Sequence, residues 1–109
     1  MRDIYRSHGF TVIRAAASAG GADLVCFNEH EIHMVEVKKP GREYYAQAKS
    51  EAKAQLRQLV VPPGVKRLAW IRPKGRSGWD VWALHVHELV PASFLGGYPV
   101  WRCEPAGTA

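Results

Sequence analysis

The stretch Gly21–Lys39, "GADLVCFNEHEIHMVEVKK", decides how the chain is read. Two β-rich runs, Ala22 to Phe27 and Glu31 to Lys38, flank the tight turn "NEH", a pattern that spells an antiparallel hairpin. Asp23 stands in the first run, and Glu36 and Lys38 stand two residues apart in the second. Charged side chains are rarely placed within strands unless something compensates them, such as a metal ion or a bound phosphate. Residues two apart on a strand share a face, so Glu36 and Lys38 project together, with Ile32 and Met34 continuing that face. The turn at Asn28 to His30 brings the start of one strand against the end of the other, which sets Asp23 near Glu36 and Lys38.

Outward from the hairpin, "MRDIYRSHG" reads as the last portion of a helix closed by Gly9, and "FTVIRA" (Phe10 to Ala15) as a strand. "AASAGG" is a flexible turn. From Glu43 to Val60 the period changes: Tyr45, Ala48, Ala52, Leu56 and Leu59 fall at helical steps, while Lys49, Lys53 and Arg57 occupy a solvated face, so the segment is an amphipathic helix ended by Pro62 and Pro63. "KRLAWIR" (Lys66 to Arg72) is a strand, "PKGRSG" a basic loop, and "WDVWALHVH" (Trp79 to His87) the last strand. The order is α-β-β-β-α-β-β. A helix between the third and fourth strands supplies the crossover a parallel neighbour requires, so the expected fold is α/β, a mixed sheet flanked by helices. Residues 1–102 form one domain, and 103–109 a flexible tail.

The 109 residues carry 15 Lys plus Arg against 10 Asp plus Glu, for a net charge of +5 and a pI near 9.5, a balance suited to a polyanionic partner. Cys26 and Cys103 are the only cysteines, too few for a disulfide framework, which favours a reducing interior. The absence of a long apolar run or an apolar leader makes a soluble, cytoplasmic protein the expectation. Cys26, His30, His33, His85 and His87 have spacings compatible with zinc, but strand alternation makes them ordinary strand and turn residues. Trp70, Trp79, Trp82 and Trp101 read as core or interface rather than base-stacking platforms.

Two carboxylates on adjacent strands, Asp23 and Glu36, make a hard-oxygen site for Mg²⁺, with Mn²⁺ able to substitute, and the backbone carbonyl of Val37 between the two side chains is a further candidate ligand. Lys38 beside them can orient water or neutralise charge on a phosphate. The plainer alternative is that Asp23 caps a turn and Glu36 pairs with Lys38. Lys39, and Lys74 and Arg76 in the loop "RPKGRSG", are candidate DNA-backbone contacts.

The Asp, twelve residues, then Glu-Val-Lys pattern resembles the PD-(D/E)XK nuclease superfamily. More narrowly, "HGFTVIRAAASAGGADLVCFNEHEIHMVEVKK" looks like the archaeal-type Holliday junction resolvases, in which a Gly-Phe-x-Val-x-Arg strand leads to a serine in a flexible loop, then Asp-Leu-Val and Glu-Val-Lys. The resemblance implies a restriction-endonuclease-like core, Asp23 and Glu36 as metal ligands, Lys38 as catalytic, Ser18 and Arg14 at the scissile phosphate or supporting the site, and Gln55 as the supporting glutamine of the helix that follows. It also implies a homodimer cutting four-way DNA junctions. A flap or other repair nuclease of the superfamily, and a DNA-binding module with a degenerate site, are the alternatives. The family usually bears a glutamate in its first helix about three turns before the Gly-Phe; here Asp3 is the only acid upstream of Gly9, at a spacing that does not fit. Either a segment of the native protein is missing, or two acids suffice, or the site is weakened.

Overall fold

The computed structural model describes residues 1–14, 23–95 and 98–100. The elements run α1 (Arg2–Ser7), β1 (Thr11–Arg14), β2 (Leu24–Phe27), β3 (Ile32–Lys38), a 3₁₀ turn (Arg42–Tyr44), α2 (Tyr45–Arg57), β4 (Val65–Ile71), β5 (Asp80–His85), β6 (Glu88–Leu95) and β7 (Tyr98–Val100). All strands join one sheet in chain order. Every pairing is antiparallel except β3 with β4, the pair joined by the α2 crossover. The mixed α/β architecture expected from the sequence is therefore present. No helix among the described residues is long and apolar enough to cross a membrane.

The sequence reading falls short at the far edge, where it places no strand after His87. β6 and β7 continue the sheet, and each carries a proline, Pro91 and Pro99, which obscures a strand pattern because proline donates nothing to the ladder. Pro91 lies opposite Trp82 of β5, outside the Ser93 to Leu95 stretch that pairs with β7, so its missing N–H leaves the β7 ladder intact. α2 is also shorter than the periodic stretch. It ends at Arg57, and Val60 is fully exposed.

Local chemistry sets the ends of the elements. Gly9 at φ +82° closes α1: its N–H donates to Arg6 O and that of Phe10 to Tyr5 O, at 3.0 and 3.1 Å, the paired bonds of a glycine-terminated helix. At the β2–β3 turn, the Asn28 Oδ1 accepts from the N–H groups of His30 and Glu31, each at 2.8 Å, so the side chain stands in for the missing backbone acceptors.

The two helices lie on opposite faces of the sheet. Tyr5 and Phe10 pack with Leu24, Cys26, Val35, Leu68 and Trp70 on one face, and Ala52 and Leu56 of α2 pack with Ala69, Ile71, Leu84 and Leu89 on the other. The buried side of α2 is thus the apolar stripe read from its periodicity. Tyr5 ties α1 to the sheet: its hydroxyl meets His33 Nδ1 at 3.0 Å and accepts from Trp70 Nε1 at 3.2 Å. Burial, assisted by Lys66, pushes His33 down to about 3, so it is a neutral core residue. Removing that hydroxyl in Tyr5→Phe is expected to lower the unfolding free energy by about 1–2 kcal/mol, measured by urea titration. Ser18, Trp101, Cys103 and the tail 103–109, for which the sequence sets expectations, lie outside the described residues.

Candidate active site

The site forms where β2 stops short of its neighbour. Leu24, the first residue of β2, pairs with Val35, whereas β3 runs on to Lys38. Past Val35, the β2-side edge of β3 needs another hydrogen-bond partner, because exposed strand groups are rarely left unmet. Asp23 supplies it: its N–H donates to Val35 O at 2.8 Å and its Oδ2 accepts from the Val37 N–H at 2.8 Å. Asp23 thus bonds across to β3 rather than within a turn, and that bond fixes its carboxylate beside β3. The Val37 carbonyl projects to this same edge, since the N–H and C=O of one strand residue share an edge and β4 engages the alternate residues, as Arg72 N–H donating to Lys38 O shows.

Register places the remaining groups. Glu36 pairs with Ala69 and Lys38 with Ile71, so both side chains lie on the α2 face, while Val35 and Val37 lie on the α1 face. Glu36 is only 3% exposed, and its Oε2 has no hydrogen-bond partner. Lys38 Nζ sits between Glu36 Oε1 at 3.7 Å and Glu51 Oε2 of α2 at 3.8 Å. Burial first, then the nearby Asp23 carboxylate, push Glu36 up to about 7, with Lys38 pulling against them. A buried carboxylate with one oxygen unmet, next to a second carboxylate, is a hard-oxygen donor set with capacity for a divalent cation. Gln55, on α2, likewise has a buried Oε1 without a partner.

On the α1 face, Asp23 and Val37 open into a groove of about 730 Å³ whose walls include Arg2, Arg6, Arg14, Lys39 and Arg72. Five cations beside the acidic notch make the groove attractive to a phosphate backbone.

Residues 1–89 match the family described as archaeal Holliday junction resolvase (Hjc). The chain belongs to this family. A solved structure of Archaeoglobus fulgidus Hjc, described as a Holliday junction resolvase from an archaeal hyperthermophile, is similar at 17% identity and a TM-score of 0.45, covering 76% of this chain and 74% of that one. Comparison with curated proteins gives no match.

Within this family frame, Asp23, Glu36 and Lys38 come together as the sequence predicted, and Arg14 and Lys39 line the groove. Lys74 and Arg76 stand apart from it. Lys74 is held through its backbone, its N–H donating to Pro40 O at 2.9 Å and its carbonyl accepting from Arg42 Nε at 3.4 Å, and Arg76 is ion-paired with Asp80. Asp3, set aside on spacing, also lines the groove. No cluster of three or more His, Cys, Asp or Glu side chains able to hold a metal forms among the described residues, so the acidic pair stands without a third side-chain ligand there. The sequence reading missed Glu51, Arg72 and Trp79. Arg72 was legible in principle, because it follows the strand that runs parallel to β3, and ligands gather at the carboxyl ends of parallel strands.

Proposed function

We propose that the protein is a metal-dependent, structure-selective endonuclease that hydrolyses phosphodiester bonds in four-way DNA junctions. The observation that carries this reading is Glu36: a nearly dry carboxylate with an unmet oxygen, beside Asp23 and Lys38, in a chain of the resolvase family. Asp23, Glu36 and the Val37 carbonyl would hold Mg²⁺, with Mn²⁺ as a substitute. When bound, the cation supplies positive charge that polarises the scissile phosphate. Lys38 extends its ammonium toward the same phosphate and offsets negative charge as water adds to phosphorus and the leaving oxygen departs. Arg14 and Lys39 seat flanking phosphates. Ser18 is assigned to the scissile phosphate on family resemblance, and Gln55 supports the site from α2. Lys74 and Arg76 extend the basic surface for backbone contact. The protein works inside the cell, and a two-fold homodimer presents two sites for paired incision of the junction's symmetric strands.

The deciding experiment compares incision of a four-way junction, a flap and a linear duplex, each with Mg²⁺ and with EDTA. Junction-selective, paired cuts that vanish in EDTA are expected, with sedimentation giving a dimer at micromolar concentration. Preferential flap cleavage would assign the site to another repair nuclease of the superfamily. Tight binding with no incision in Mg²⁺ or Mn²⁺ would make the protein a DNA-binding module.

A further inference from the structure

The geometry points to a phosphate-binding site at Arg72, whose guanidinium lies over the Trp79 ring, for the DNA strand that passes Asp23. The Arg72 guanidinium carbon lies 4.7 Å from the centre of the Trp79 ring, and Lys39 Nζ lies 6.0 Å from it. Trp79 in turn meets fully buried Trp70 edge-on, with ring centres 6.0 Å apart at 69°. The platform is thus anchored in the core. Arg72 is also tied at its backbone to the catalytic strand, its N–H donating to Lys38 O at 3.0 Å.

Several cations elsewhere in the molecule are already partnered, whereas those of the groove, Arg2, Arg6, Arg14, Lys39 and Arg72, have no ion pair among the described residues. What distinguishes Arg72 is the Trp79 ring beneath its guanidinium. Arg76 is paired with Asp80, Lys53 with Glu88, and Lys38 with Glu36 and Glu51, and Arg67 donates to the carbonyls of Leu56 and Leu59. The Arg72 side chain has no hydrogen bond or ion pair among the described residues, although Asp3 and Asp23 line the same groove. A guanidinium over an aromatic face gains cation–π attraction, and one with no protein partner has its N–H donors available for a bidentate acceptor such as a phosphate. With both Arg72 and Lys39 placed over it, the Trp79 ring acts as a support for cations rather than as a base-stacking surface.

This inference rests on the protein being a DNA-cutting enzyme, and its test separates the two. Junction and linear duplex are titrated at several salt concentrations with the wild type, Arg72→Gln, Arg72→Lys, Trp79→Leu and Trp79→Phe, and folding is checked by circular dichroism. Arg72→Gln is expected to weaken binding about tenfold and to reduce the salt slope by about 0.9. Arg72→Lys keeps the slope but recovers only part of the affinity, since a point charge lacks the planar fork. Trp79→Leu loses part of the affinity and Trp79→Phe restores it, a recovery that a purely structural tryptophan would show in melting temperature alone. A scan of neutral methylphosphonate linkages in the junction should find one flanking position that weakens the wild type and leaves Arg72→Gln unchanged. Wild-type affinity and salt slope in Arg72→Gln, or methylphosphonate losses that add to the substitution at every position, would overturn the phosphate site while leaving the nuclease reading intact. Failure of the wild type to bind any DNA would overturn both.

Discussion

Asp23→Asn, Glu36→Gln and Lys38→Ala each reduce junction cleavage by at least about a thousandfold, whereas affinity for the junction changes by less than about threefold. The split follows from where these groups sit. Asp23 and Glu36 form the acidic notch beside β3, and Lys38 lies on the α2 face with its ammonium between Glu36 and Glu51. The cations of the groove, Arg14, Lys39 and Arg72 among them, line the α1 side and remain in place in all three variants. Binding is carried mainly by the phosphates that the groove cations neutralise, and of the three changes only Lys38→Ala removes a contact to a phosphate, the scissile one. Cleavage depends on charge placed where the phosphate becomes more negative, which they remove. Single-turnover incision in saturating enzyme, beside a gel-shift titration in Ca²⁺ or EDTA, separates the two quantities. Incision at the wild-type rate by any one variant would take that residue out of the site.

The acidic notch was legible because its logic is local. An antiparallel hairpin with a short turn forces the start of one strand against the end of the next, so the positions of Asn28, Asp23 and Glu36 in the sequence are enough to bring the two acids together. The α2 stripe was legible for the same reason, since Ala48, Ala52 and Leu56 repeat at the helical period and are the residues the helix buries. What escaped depends on partners distant in sequence. Arg72 and Trp79 face each other across the β4–β5 hairpin, but they reach the groove beside Asp23 only because α2 carries β4 back alongside β3, and that placement is a tertiary fact. The strands β6 and β7 escaped because Pro91 and Pro99 interrupt the alternation that marks a strand, although their places in the sheet tolerate a missing donor. Asp3 was judged by distance along the chain from Gly9, whereas its place on the groove wall is set by how α1 docks through Tyr5.

In the absence of divalent cations the protein is expected to lose about 2–3 kcal/mol of stability between pH 4.5 and pH 8 through Glu36 alone. Burial raises this carboxyl to about 7 in the folded chain, from an ordinary value of 4.5, so between those values the folded protein holds a proton that the unfolded chain has released. The stabilising contribution is therefore fully present below about pH 4.5 and is lost as pH rises through about 7. Above that, the folded state carries a desolvated negative charge with one oxygen unmet, only partly offset by Lys38 at 3.7 Å. Glu36→Gln removes the charge at similar volume, so at pH 8 in EDTA the variant should be more stable than the wild type by about 2 kcal/mol, with no gain at pH 4.5. Added Mg²⁺ should reverse the order: it binds the folded wild type and raises its melting temperature, and it leaves the glutamine variant nearly unmoved. Urea titrations at both pH values, with and without Mg²⁺, read all four corners of this comparison. A glutamine variant less stable than the wild type at pH 8 in EDTA, together with a wild-type stability that is flat from pH 5 to 8, would mean that Glu36 carries no desolvation strain, and the physical basis for seating a cation between Glu36 and Asp23 would be gone.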